Sequence, residues 1–557
     1  MRSTILNILL ILLVVQAQAQ QDVLAGRDSS VFENERIERL EIRAKPLLEM
    51  PEIPNEAPER GLTYVSPDLQ YKPGLPPPRM IPLEQDKPTW ERLYNHQVRL
   101  GLGLWLTPLA EVHLGSGRQI NKSWGAQYRH LSTPVGHTGF ANFGDHRLGV
   151  QGRLLQPMYS VYTEADFRYY RYNFYGKEQP TTGALIEDKA WRDSIRQHQL
   201  LTTALLGVRS NYTAGKLSYD VPFKLEVFSD RREAREWYIN ASPSLEVPVY
   251  DSLYARVAAR MTFGQASTSS HASSRSFLDV TPQLAWYNSV IRARVGLRAN
   301  LYSDTAGSEF NVYPAIEAEV VAIPKYLSIY ASAYGQTHFN RRMDWMQDNP
   351  WMAPGLHAAP TFERYRATFG LRGSVLRFTW QAEGYLRQAR NQAVFFSPLN
   401  DSLIRRAGME QGYFYAAYEP EFRETGIGLQ LQYDPATFFR AGLKVDVRSF
   451  SLDSLSHNFH VAPVMVQANG ALGLMERKLW LNLSLRYIGS RPLGFDREGQ
   501  LETAEGFVDV NLGADYRLSK RFSIFVEVNN LLNKTYYRWR YYVERPLDVR
   551  AGVSLAF

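Results

Sequence analysis

Two sets of residues carry types and spacings that could do chemistry. The first is a series of cations at alternate positions: Arg256 and Arg260, then Arg292, Arg294 and Arg298, then Arg440, Lys444 and Arg448. Side chains two apart on an extended chain point to the same side, so each group presents its charge to one face. A face of that kind raises the local concentration of an anionic solute. The commoner use of such charges is a ladder of ion pairs across neighbouring strands, and Glu164, Asp166, Glu383, Asp446, Asp509, Asp515, Glu527 and Asp548 share the same parity. The second set is the run Tyr536, Tyr537, Arg538, Trp539, Arg540, Tyr541, Tyr542. Rings with a polar tip stack on sugars, peptides or another protein, or pack on one another.

Catalytic chemistry has no comparable basis. The chain has no Gly-rich phosphate loop and no nucleophile elbow, and its 11 His residues do not gather at metal-ligand spacing. His198, for example, sits between Gln197 and Gln199. No enzyme, metal or cofactor is expected. The net charge of +7 is small for 557 residues and accompanies no basic stripe or recognised motif, so nucleic acid is not an expected partner.

The elements that hold these residues are set by a period of two. From Leu547 to Phe557 every odd position is apolar or small (Leu547, Val549, Ala551, Val553, Leu555, Phe557), and every even one is polar or small. Phe522, Ile524, Val526 and Val528 repeat the pattern, with Phe525 as an exception on the wet face. The same alternation recurs from about residue 95 onward, as in Val98–Leu104, Val161–Tyr169, Val257–Met261, Ala293–Ala299, Phe439–Val447 and Leu479–Tyr487. A soluble sandwich would use short strands. Here the strands are long and carry full charges in their middles, the pattern of a transmembrane barrel with a polar interior and an apolar exterior.

Tight breaks fall at 107–108, 157, 213–216, 248–249, 288–289, 324–325, 373–375, 435–436, 475–476 and 518–520. Longer ones fall at 131–144, 175–194, 230–236, 265–273, 302–308, 340–361, 399–411, 450–459, 489–505 and 531–546. Short and long connections alternate, as periplasmic turns and extracellular loops do. They delimit about 21 segments, whereas a bacterial barrel with both ends in the periplasm needs an even number. We therefore expect an all-β fold, a transmembrane antiparallel β-barrel of about 22 strands over residues 95–557, with the miscount in the N-terminal part. Rings near strand ends, such as Trp286, Tyr326 and Phe438, would form the interfacial belts.

The N-terminus reads as an address. Arg2, the apolar run Ile5–Val15 and the small Ala17 and Ala19 make residues 1–19 a secretory signal peptide. No Cys is present, which fits a chain exported into an oxidising compartment. Residues 20–94 form a Pro-rich periplasmic arm, in which Pro54, Pro58, Pro67, Pro73, Pro76, Pro77 and Pro78 favour extended conformations. It serves as a linker, as a tether for a periplasmic partner, or as matter that enters the lumen.

The closing stretch, RFSIFVEVNNLLNKTYYRWRYYVERPLDVRAGVSLAF, resembles the C-terminal end of TonB-dependent receptors. Val528, Asn529, Asn530, Leu531, Leu532 and Asn533, then Tyr536 and Tyr537, and a last strand with Arg550, Gly552 and terminal Phe557 carry the likeness. YRHLS at 128–132 and the Pro-rich arm are similar to receptor-like proteins of the Bacteroidetes group. The resemblance implies an outer-membrane barrel that takes up or passes a solute, surrounded by outer-membrane lipid and coupled to TonB. One departure stands out. Receptors of the family carry a folded plug inside the barrel, and only the arm precedes the first strand here. ERLEIRA at 38–44 is a faint likeness of the TonB-contacting segment, which leaves TonB coupling open. The alternative to uptake is a plugless barrel acting as a structural or accessory subunit of an outer-membrane protein complex, with periplasmic or outer-membrane partners held through the arm and loops. A lumen of 22 strands needs filling, by the arm, by inward-folded loops such as 340–361, or by another protein.

Overall fold

The computed structural model describes residues 94–557, apart from 118, 120, 138, 178–188, 212–216, 269–271, 399–408, 435–437 and 497. The expected signal peptide, arm and TonB-contacting segment lie outside the described residues.

The alternating stretches form one closed antiparallel sheet that runs from His96–Gly103 to Asp548–Ala556, each strand bonded to the next in sequence. The first strand closes on the last in the register Val98↔Leu555 and Gly101↔Gly552. The sheet has 23 hydrogen-bonded segments, of which Arg235–Ala241 and Ser244–Tyr250 both pair with Ser218–Asp230 and both pair with Leu253–Ser267. They are two halves of one strand, interrupted where Pro243 has no amide proton to give to the ladder. The barrel therefore has 22 strands, as expected.

The apolar parity faces out. Ile427 is 67% exposed, and Leu297, Phe369, Val312 and Phe263 stand out in the same way. Leaving a large apolar side chain in water rather than burying it forfeits about 1.5–3 kcal/mol, so a belt of dozens of them is a lipid-facing surface. No described helix is long and apolar enough to cross a membrane; the crossing is made by strands. The other parity faces in and is polar. Arg99, 6% exposed, bonds Glu527 and lies 3.4 Å from Glu111, which in turn lies 3.3 Å from Arg129.

Phe525, the apolar residue on the wet face, is explained by its neighbours across the seam. It lies opposite Gly552, which lies opposite Gly101. Its ring covers both glycines: a Cβ built on Gly101 would come within 2.9 Å of the ring, and one on Gly552 within 2.6 Å. The Arg99 guanidinium stacks 3.6 Å from its centroid. The ring fills space that two missing side chains leave, and it braces the first strand against the last two.

The strand missed in the sequence is identified by the turn that precedes Thr107. The expected tight break at 107–108 is a three-residue turn, Leu104–Leu106, and it belongs to the long-loop end of the barrel. The overlooked break is 116–121, between Thr107–Gly115 and Lys122–Thr133. Leu104–Leu106 lacks Gly, Asn and Pro, and bends because Trp105 and Leu106 adopt positive φ (59° and 51°), so its apolar letters read as strand. Other breaks shift or shrink. The turns expected at 373–375 and 248–249 fall at 376–377 and 251–252, and the loops expected at 302–308 and 230–236 are short turns at 305–306 and 231–234.

Candidate functional site

Six connections at one end of the barrel are long: 174–195, 339–360, 391–421, 453–463, 489–506 and 530–547. Their described residues do not spread into solvent. Residues 339–360 carry the short helix Arg342–Asp348, and three small hairpins form from Gln392–Phe396 with Tyr415–Glu419, Arg491–Phe495 with Leu501–Ala504, and Tyr537–Trp539 with Tyr542–Val543. Together they make a cap with an apolar core of its own. Met343, Met346, Met352, Phe414 and Tyr542 are at most 1% exposed and pack with Phe174, at the start of the 174–195 connection, against Phe228 and Tyr238 from the barrel. Trp351 stacks on Tyr542 with centroids 3.8 Å apart and planes 16° from parallel.

The cap is bolted to the inward face of the wall by buried polar groups. Arg275, on the strand Ala272–Tyr287, donates to the carbonyl of Asn340 (2.8 Å) and to that of Ala358 (2.6 Å), so a single guanidinium holds both ends of the 339–360 loop. Its plane covers the Phe339 ring at 4.4 Å. Arg342 pairs with Asp230 at 2.9 Å, both side chains almost wholly buried, and the Met343 amide donates to Glu236 at 2.8 Å. Arg341 bridges Glu226 and Asp344. Tyr172 donates to the Pro350 carbonyl, and the Trp351 indole to that of Asn173 (3.1 Å). Breaking one member of a buried pair leaves an uncompensated charge and costs about 3–5 kcal/mol, so the latch outweighs any single apolar contact.

Between the cap and the wall lies a cavity of about 150 Å³, the size that holds a benzene-sized molecule. Five arginines line it (Arg129, Arg147, Arg168, Arg538 and Arg545) against three carboxylates (Asp145, Asp348 and Glu544), and the rings of Phe143, Tyr170, Tyr175, Trp351 and Trp539 complete it. Arg147 and Arg168 are engaged with Asp145 at 2.6 and 3.0 Å, and Arg545 with Asp548 at 3.5 Å. Arg538 has no carboxylate within ion-pair distance among the described residues. Burial pushes the Asp348 carboxyl up to about 6, against the pull of Arg538. The arrangement attracts negative charge and offers flat apolar faces to a ring.

The other titratable groups of the cap are structural. His460 donates from Nδ1 to the Phe395 carbonyl (3.2 Å) and packs on Phe414 and Trp539. Burial, with help from Arg491 and Arg540, pushes it down to about 3, so the ring is neutral. Among the described residues no three His, Asp or Glu side chains gather where they could hold a metal ion.

Of the residues singled out in the sequence, the aromatic run lies largely inside the cap. Tyr542 is buried and its hydroxyl donates to the Gly412 carbonyl (2.5 Å). Tyr536 stacks on Phe507 at 3.8 Å, and Trp539 packs on Phe414 and His460. Tyr541 is half-buried beside the Arg540 guanidinium, and Tyr537 alone of the five is exposed. The cations are spread along the wall. Arg292 lies 3.8 Å from Glu319, Arg294 3.3 Å from Glu317, Arg298 3.6 Å from Asp279, Arg440 3.4 Å from Asp434, and Arg448 3.8 Å from Asp446. Lys444 stands opposite Gln430 in the ladder. Arg256 and Arg260, opposite Glu246 and Asp279, make no ion pair among the described residues. The structure does not bring these eight into one site.

Arg275, Arg342, Glu236, Asp230 and His460 are not singled out by the sequence, and Arg538 stands there only as a member of the aromatic run. Arg275 shares the inward parity of the other cations, and nothing local distinguishes it. Residues 340–361, expected as an inward-folded filling, do fold into the mouth.

Comparison of the sequence with protein-family models finds no match, and comparison with curated proteins finds none either. Solved structures match in fold. The FrpB iron transporter from Neisseria meningitidis (F3-3 variant) superposes with a TM-score of 0.64 at 13% identity, over 84% of this chain and 82% of that one. The pyoverdine outer-membrane receptor FpvA from Pseudomonas aeruginosa PAO1 gives 0.61 at 12% identity, over 85% and 80%. The ferric-catecholate import receptor Fiu from E. coli K12 gives 0.61 at 10%, over 84% and 82%. The fold is thus the 22-strand barrel of TonB-dependent receptors.

Proposed function

We propose that this chain is a receptor of the outer membrane that binds a solute at the long-loop end and admits it through the barrel, with the cap as the gate. The long-loop end faces the outside of the cell and the chain ends face the periplasm, as alternating short and long connections are arranged in bacterial barrels. The single observation that carries the reading is the cavity beneath the latched cap. A purely architectural barrel has no use for a cationic, ring-lined space between cap and wall. The excess of arginine over carboxylate and the walls of Trp351, Trp539 and Tyr175 suit an anionic, ring-bearing group. At about 150 Å³ the cavity takes one such group of a larger solute. The proteins that share the fold are described as carriers of iron, pyoverdine and ferric catecholates, and a ferric chelate with anionic rings meets both requirements. Arg538, which acts on Asp348 only from beyond ion-pair distance among the described residues, is the residue we assign to the charge of the incoming group.

Trp351 and Trp539 report on the site. Titrating the purified protein with the ferric complex of 2,3-dihydroxybenzoate should quench tryptophan emission with saturation, and Arg538→Gln should weaken the half-saturation point about tenfold, the loss of one charge-assisted hydrogen bond. Quenching that never saturates, or that is identical in Arg538→Gln, would overturn the assignment.

A further inference from the structure

We infer that the lipid-facing side of the barrel, just below the long-loop rim, carries a binding surface for phosphorylated lipid headgroups. It is built on the outward positions of six adjacent strands: Lys122–Thr133, Phe143–Leu155, Tyr159–Asn173, Arg196–Ser210, Ser218–Asp230 and Arg235–Ala241. The register fixes which side chains share that face. Leu148, 45% exposed to lipid, stands opposite Tyr128 and Phe167. Two residues nearer the rim, His146 stands opposite His130 and Tyr169. Two residues further, Arg171 stands opposite His198. Arg235 pairs through Ser229 and Leu200 to the level of Tyr169, nearer the rim than Trp237 and Ile239 on its own strand.

The face is therefore graded along the barrel axis. Leu148, Val150, Phe167, Leu206 and Leu225 are exposed in the apolar belt. Tyr128, Tyr169 and Trp237 follow at the level where amphipathic rings mark a membrane interface. His130 and His146 share the level of Tyr169, and Arg171 and His198 lie two residues nearer the rim. No outward position of these six strands holds Asp or Glu. Arg171 and Arg235 have no carboxylate within ion-pair distance among the described residues, and Arg196 has only the exposed Asp193 at 3.4 Å.

The imidazoles form a continuous row. His130 and His146 have ring centroids 4.4 Å apart, Tyr169 lies 6.1 Å from His146, and His198 lies 5.8 Å from Tyr169. The Nδ1 atoms of His130 and His146 are 3.2 Å apart, with the Tyr128 hydroxyl 3.1 Å from the second. One ring donates to the other in that contact. Adding a second proton would set two N–H groups against each other, and an anion placed over the pair removes that conflict by accepting from both. The surface suits lipid phosphates side by side: acyl chains lie on Leu148 and Phe167, and one phosphate reaches His130, His146 and Arg171. Arg235, three strands further on at about 4.8 Å per strand, takes the headgroup of a second lipid, and no carboxylate on this face repels either. The continuity of the cations with the lipid-facing belt selects a lipid over a free phosphate. The surface is independent of whether the barrel passes a solute.

The test is native mass spectrometry of the detergent-solubilised full chain with dioleoyl phosphatidic acid, dioleoyl phosphatidylcholine or glycerol phosphate. The wild type should retain phosphatidic acid about tenfold more than phosphatidylcholine, the margin of a few charge-assisted hydrogen bonds. The Arg171→Gln/Arg235→Gln pair should abolish that preference, and His130→Gln/His146→Gln should reduce it. Arg440→Gln, inside the lumen, should leave it unchanged. Equal retention of the two lipids, an intact preference in the arginine pair, or displacement of phosphatidic acid by equimolar glycerol phosphate would each overturn the inference. Barrel integrity is read separately, as the shift in gel mobility between unheated and boiled samples.

Discussion

Ile427 and Met346 are both large apolar side chains, yet one is 67% exposed and the other 1%. The first belongs to the wall, where apolar surface is turned outward to lipid and polar groups are paired inside. The second belongs to the cap, where apolar surface is gathered inward under polar latches, as in a soluble domain. One chain thus folds by two rules, and the boundary between them is the long-loop rim. The wall is held by a closed ladder in which every strand has two neighbours. The cap is held by a few buried contacts that can be undone singly. A gate has to differ from its frame in that way, since it must open while the frame stays closed.

Substitutions can break or sharpen the contrast. Arg342→Met is expected to have the largest effect: it removes the guanidinium that donates from Nε to Met346 Sδ and leaves Asp230 buried without its ion-pair partner, destabilising the cap by about 3–5 kcal/mol. Limited proteolysis should then cut within 339–360, while the unheated barrel still migrates as a folded species. Tyr542→Ala comes next. Removing the ring from between Trp351 and Phe414 should cost about 3 kcal/mol, seen as earlier loss of tryptophan emission in denaturant with no change in the later barrel transition.

Acid should act on the cap alone. His460 is neutral in the closed cap, with its folded value lowered to about 3 from the usual 6.5. Its contribution is therefore complete above about 6.5 and is lost as pH falls towards 3, on the order of 2 kcal/mol by pH 5. Asp348 works in the opposite sense. Its folded value is raised to about 6, so its protonated form is favoured in the closed cap, and that contribution is lost as pH rises through 6. His460→Gln should abolish the acid loosening and leave the weaker trend of Asp348, measured as protease sensitivity at pH 5 against pH 7.5. The smallest effect is expected in the wall. Ile427→Ala removes surface that already faces lipid and leaves no cavity, so it should change barrel stability by less than about 1 kcal/mol. A large loss there would mean that Ile427 is buried against protein.

The same contrast explains what the sequence reveals. The wall was legible because each strand states its two faces locally, residue by residue, and parity alone sorted Arg292, Arg294 and Arg298 from Ala293, Val295 and Leu297. It failed where backbone geometry departs from residue type, at the apolar turn Leu104–Leu106, and where a ring serves distant glycines, as Phe525 does. The cap has no period. Arg275 serves Asn340 and Ala358, 65 and 83 residues further on, and Trp351 meets Tyr542 across the molecule. Such pairs are created by the loops' meeting and leave no mark in either segment. Hence the aromatic run 536–542 reads as a surface for ligands, when most of it packs in the core of the cap.

Single-channel recording in a planar bilayer bears most directly on the claim that the cap is a gate in a stable frame. The wild-type full chain should show little conductance. Arg342→Met should open to large, long-lived conductance steps while retaining the folded-barrel gel shift. A wild type that already conducts as an open pore, or an Arg342→Met barrel as silent as its parent, would contradict it.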